Sequence, residues 1–90
     1  MEVHIIVKLK SSYESWKEAF DNHAEYRAKM CDERKTLVGK ANETTALITV
    51  FDVDMEAMNT MMEDPNFQKL TEPFVEEHIP YTITPLSRPN

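Results

Sequence analysis

The sequence predicts an α+β fold in which a four-stranded antiparallel sheet carries two helices on one face. Three observations predict it. Short runs rich in apolar and β-branched residues recur at 3–9, 36–41, 45–53 and 79–86. Two longer stretches, one over 12–33 and one from Met55 onward, instead space their apolar residues at helical period. A polar break, Asn42-Glu43-Thr44, separates the second and third runs as the loop of a hairpin would.

Residues 3–9 read as a largely buried first strand, because the run is short and built from Val, Ile and Leu. Ser12 then supplies an N-cap. With Ser15 at the N3 position the reciprocal capping box is absent, so a simple cap is expected. Setting residues 12–33 about 100° apart puts Tyr13, Trp16, Phe20, Ala24 and Cys31 on one stripe, with His23 and Met30 at its edge. Glu14, Glu18, Asp21, Asn22, Glu25 and Lys29 fall opposite. The third run, 45–53, carries Ala46, Ile48 and Val50 on one face and Leu47 and Phe51 on the other. Asp54 caps a second helix whose inner face includes Met58, Met61 and Met62. Asp64-Pro65 restarts it, since proline is tolerated at the first helical position, and Phe67, Leu70 and Phe74 continue its apolar side until Pro73 bends or ends it. The last run, 79–86, contains Pro80 and Pro85, which place it at a sheet edge.

Strand, helix, strand, strand, helix, strand is the order of a ferredoxin-like sandwich, here a single domain over residues 1–90. Helices cover one face of such a sheet, yet the central strands carry apolar residues on both. The open face therefore needs a cover, and a second copy of the same sheet is the simplest one.

A net charge of −6, with ten basic residues scattered along the chain, disfavours nucleic acid, which is bound by clustered Lys and Arg. One cysteine, Cys31, excludes an internal disulfide framework and a cysteine-cluster zinc site. No run approaches the ~20 apolar residues of a membrane span, and the start lacks the basic segment of a signal peptide. A cytoplasmic protein is expected. His4, His23 and His78 are too dispersed for a metal-binding spacing, although the first and last strands would be neighbours, and no cofactor motif is present. Glu63, Asp64, Glu72, Glu76 and Glu77 read as a solvated acidic face.

Arg27 is the residue that needs explaining, because it falls inside the apolar stripe of the first helix. A buried guanidinium meets a carboxylate, snorkels past the core or waits for an anionic ligand. His23 is one turn earlier. As a catalytic pair, His23 serves as general base or hydrogen-bond donor while Arg27 holds a carboxylate, enolate or phenolate. As structural residues, Arg27 pairs with an internal acid such as Asp52 and His23 is a satisfied histidine at the core edge. Trp16, Phe20 and Tyr81 are the other candidates for contact with a ligand, each with a plain alternative: core filling for the first two, a phenol reaching solvent for Tyr81.

The pattern Tyr13-x-x-Trp16-x-x-x-Phe20-Asp21-x-His23-x-x-x-Arg27 resembles the first helix of small proteins in the antibiotic biosynthesis monooxygenase-like, dimeric α+β barrel superfamily. Val50-Phe51-Asp52-Val53-Asp54-Met55-Glu56-Ala57 and Asp64-Pro65-Asn66-Phe67 resemble its third strand and second helix. The resemblance implies a homodimer with facing sheets and a small-molecule cavity between the sheet and helices of each subunit. Two departures stand out. The first strand has no Asn and the only Trp is Trp16, so the Asn, Trp and His set of the haem-degrading members is missing, as is the Asn and Trp pocket of the quinone-forming ones.

Two functions of different class follow. One is a cofactor-independent monooxygenase- or cyclase-like enzyme acting on a small apolar substrate with an acidic or enolic oxygen. The other is a non-catalytic dimeric ligand-binding or accessory domain.

Overall fold

The computed structural model describes residues 1–83. Its elements run β1 (Val3–Leu9), α1 (Tyr13–Asn22), α2 (Ala24–Ala28), a 3₁₀ turn (Glu33–Lys35), β2 (Leu37–Asn42), β3 (Thr45–Val50), α3 (Met55–Glu63), α4 (Pro65–Thr71) and β4 (Val75–Tyr81). The strands form one antiparallel sheet in the order β2-β3-β1-β4, which bears out the expected fold and leaves β4 at an edge, where Pro80 is tolerated.

Alternation along the central strands sets the core. Val3, Ile5, Val7 and Leu9 of β1 and Ala46, Ile48 and Val50 of β3 are buried, and Trp16, Met30 and Met58 pack onto them from the helical side. The expected caps are present: Ser12 accepts from the Ser15 N–H, Asp54 from Ala57 and Asp64 from Asn66, with Pro65 in the first turn of α4. In the hairpin, the Asn42 side chain accepts from the Thr44 N–H at 2.9 Å and closes a loop of Glu43 and Thr44.

Among the described residues, the other face carries no helix. Its residues line up across the four strands as Gly39, Leu47, Ile6 and Ile79 in one row and Leu37, Thr49, His4 and Tyr81 in the next. Leu37, Leu47 and Tyr81 are exposed there.

Three expectations are corrected. The single helix over 12–33 is broken at His23, whose φ of −104° and ψ of 20° lie outside the helical region. An unbroken helix would pair the Phe20 carbonyl with the N–H four residues on. Instead that carbonyl accepts from the His23 N–H at 3.1 Å and from the Arg27 side chain, so a tertiary contact supplies what the helix ladder gives up. The third strand ends at Val50 rather than at residue 53, because the Phe51 carbonyl turns aside to accept from the Asp32 N–H and Asp52 adopts a left-handed φ of 54°. The last strand begins at Val75, four residues earlier than expected. Its Glu76 and Glu77 remain in water at the sheet edge, so their charge does not oppose pairing with β1. Pro85 and Leu86 lie outside the described residues.

Among the described residues, no helix is long and apolar enough to cross a membrane.

Candidate functional site

A partly enclosed cavity of ≈ 60 Å³ lies between the sheet and the helices. At the ~10–15 Å³ that one water requires, it has room for several waters or a compact ligand. Ile5, Ile48 and Val50 form its floor, Trp16 and Phe20 one wall, and Met61, Met62 and Phe67 the other. These residues reach the cavity through the two periods read in the sequence: alternate strand positions point to the helices, and α1 turns its apolar stripe to the sheet. Among the described residues, the polar groups on the wall are His23, Arg27, Thr71 and His78.

Arg27 is buried and held on three sides. Its Nε and Nη2 donate to the two carboxylate oxygens of Glu33 at 2.9 and 2.8 Å, and Nη1 donates to the Phe20 carbonyl. Its guanidinium carbon stands 3.6 Å from the centre of the Phe20 ring, in cation–π contact. Thr36 donates a further hydrogen bond to Glu33. The expected Asp52 partner is thus replaced by Glu33. The broken helix returns the chain as a 3₁₀ turn under Arg27, whereas left-handed Asp52 points to solvent and pairs with Lys35 at 2.8 Å.

His23 sits at the helix break, half-buried, with Tyr26 edge-on at 6.1 Å between ring centres. Burial first, and the nearby Arg27 charge second, lower its pKa from the ordinary 6.5. His78 is tilted against Phe67 at 6.3 Å, and burial alone lowers its pKa. Both imidazoles therefore favour the neutral form, which has one nitrogen free to accept a hydrogen bond. Rings connect them, since Tyr26 and Phe67 lie 5.9 Å apart.

Four of the five candidates from the sequence, Trp16, Phe20, His23 and Arg27, meet around this cavity. Tyr81 does not. Its register opposite His4 puts it on the open face, where the two rings stack at 5.8 Å. His78, weighed from the sequence only as a metal ligand, is a cavity residue the sequence reading does not find. It pairs with Val7, hence faces the helices, and only a strand begun at Val75 assigns it that face. His4 and His78 do occupy neighbouring strands, but on opposite faces, and His4 bonds Thr49 at 3.0 Å. Among the described residues, no three His, Cys, Asp or Glu side chains converge as a metal site requires. Cys31 bonds the Arg27 carbonyl, and burial raises its pKa, which keeps it a thiol.

Comparison with solved structures places this geometry among known folds. SnoaB, a cofactor-independent oxygenase from Streptomyces nogalater, superposes with a TM-score of 0.63 at 12% identity, over 94% of this chain and 95% of that one. A dabb family protein with a ferredoxin-like fold from Mesorhizobium loti gives 0.50 at 15% identity, over 96% and 97%. The chain shares their fold. At these identities the likeness is one of fold alone. No protein-family model matches the sequence, and a sequence comparison with curated proteins finds no match.

Proposed function

We propose that this chain is a small-molecule-binding protein whose cavity takes a compact, largely apolar molecule bearing one acidic or enolic oxygen, and that it acts as a cofactor-independent monooxygenase- or cyclase-like enzyme. One observation carries this reading: two neutral imidazoles, His23 and His78, border an otherwise largely apolar cavity beside Arg27. A neutral imidazole in a largely apolar site accepts the proton of a phenol or enol O–H as it ionises, the first step of chemistry at such a carbon framework. Trp16 and Phe20 supply a flat wall for a ring. SnoaB, of the same fold, is a cofactor-independent oxygenase, which supports the reading as analogy.

The reading includes a cytoplasmic homodimer, built as one domain and joined through the open sheet face. The row Gly39, Leu47, Ile6 and Ile79 gives that face a flat apolar centre suited to a second copy of itself.

A specific observation also favours the non-catalytic alternative. The guanidinium of Arg27 is already gripped by Glu33, so the group best placed to stabilise an anion has its charge balanced within the chain.

The test is a screen of phenols and enolisable diketones followed by the emission of Trp16, the single tryptophan, with oxygen uptake measured for every binder. Binding that His78→Phe removes without altering the thermal melt supports the site. A screen in which no compound perturbs Trp16 sinks it, and binding without turnover selects the non-catalytic alternative.

A further inference from the structure

The ligand class narrows further, on the reading just given, once the donors of Arg27 are counted. A guanidinium has five N–H groups. Nε and one N–H of Nη2 form the two-pronged contact with Glu33, and Nη1 donates to the Phe20 carbonyl. Three of the five N–H groups are thus taken, and the fork of Nε and Nη2 already holds the Glu33 carboxylate. The two that remain belong to a guanidinium whose charge Glu33 balances, with the Phe20 ring 3.6 Å from its carbon on one face. The other polar groups on the cavity wall are the His23 and His78 imidazoles and the Thr71 hydroxyl. Among the described residues, this wall offers hydrogen-bond acceptors without an unbalanced positive charge.

We propose that the cavity selects a neutral O–H donor, a phenol or an un-ionised enol, over a carboxylate of the same size, and that Arg27 is a positioning residue for the His23 turn rather than the anchor of an anion. An ionised carboxylate entering here would lose its hydration with, among the described residues of the wall, no unbalanced cation to replace it. A phenol, whose pKa lies near about 10, enters uncharged and donates its O–H to an imidazole nitrogen. The link from Arg27 to His23 runs through the Phe20 carbonyl, which accepts from both the guanidinium and the His23 backbone N–H. The charged and titratable groups around His23 are Arg27 and His78 on the cavity wall, Tyr26 against its ring, and Glu33 behind Arg27.

The test titrates the full chain with phenol and with benzoate at pH 7.5, following the ring resonances of His23 and His78 by NMR. The two probes share one ring and differ in the acidic group. Phenol is expected to move the histidine resonances and to bind at least about tenfold more tightly than benzoate. Glu33→Gln keeps a hydrogen-bonding partner for Arg27 but removes the balancing charge. It is expected to strengthen benzoate binding at least about tenfold, to leave phenol within about twofold, and to shift the resonances of His23 more than those of His78. Benzoate binding as tightly as phenol to the unmodified chain overturns the inference while the binding reading stands, as does a Glu33→Gln chain that changes both affinities alike. Should Glu33→Gln not fold, the comparison in the unmodified chain decides alone. Failure of both probes to bind the unmodified chain removes the reading and the inference together.

Discussion

Arg27 and Glu33 form a two-pronged ion pair, with N–O distances of 2.9 and 2.8 Å, that ties the helix after the His23 break to the 3₁₀ turn before β2. The arginine side chain is 9% exposed and the glutamate 26%, so the pair is only partly screened by water. Removing one partner strands the other. Arg27→Met alone is expected to cost about 3 kcal/mol, the low end for a buried pair because Glu33 retains some solvent. The double variant Arg27→Met with Glu33→Met should recover most of that loss, giving a coupling of about 1–3 kcal/mol in a urea-unfolding cycle. Additive single costs would show that the pair holds nothing together.

The histidines predict a pH dependence of definite sign. His23 and His78 have lowered pKa values in the folded chain, from an ordinary value of 6.5 in the unfolded one. Above that value both states are neutral and neither histidine affects stability. As the pH falls through 6.5 the unfolded chain takes up protons that the folded chain resists, so stability falls until the folded values are also passed. The urea midpoint should therefore drop between pH 7.5 and 5.5, before most carboxylates titrate, and His78→Phe should flatten that drop. A midpoint that rises on acidification would contradict the burial of these rings.

Much of this was legible in the sequence, and what was not has identifiable causes. The alternation in residues 45–53 put Ala46, Ile48 and Val50 on the buried face of β3 and Leu47 on the other, because period two admits no ambiguity once one face is buried. Residues 3–9 were legible as a strand but not as one with a single buried face. The caps at Ser12, Asp54 and Asp64 followed from local hydrogen bonding alone. The break at His23 did not, since no Gly or Pro marks it and its compensation comes from a side chain four residues on. Glu33 escaped notice for the same reason: in an unbroken helix it lies six residues from Arg27, well off the same face, and only the bend brings it back. The side of the sheet that His78 faces was missed because β4 starts at Val75, so that Glu76 and Glu77, read as a solvated acidic face, are an exposed strand edge.

Trp16 predicts a large single-site effect. It is 4% exposed, packs edge-on against Tyr13 at 5.7 Å and tilted against Phe20 at 5.0 Å, and borders the cavity. Trp16→Ala removes the indole from the cavity wall and should cost about 3–5 kcal/mol in a urea melt. Trp16→Phe, which keeps a ring in place, should cost much less and preserve phenol binding. Equal losses for the two variants would mean that the indole contributes something other than packing.

Gly39 predicts how the open face is used. A Cβ at this position meets nothing within 4 Å, and the residue heads the row that continues through Leu47, Ile6 and Ile79. Within one chain a side chain here fills empty space and removes the conformational cost of glycine in a strand, a gain of about 0.5–1 kcal/mol. Against a second sheet, the same side chain stands where the partner must approach. Gly39→Val is therefore expected to leave the melt at high dilution unchanged or higher while weakening self-association in sedimentation equilibrium. A chain that stays monomeric at every concentration, or a variant whose association matches the original, would remove the second copy from this face.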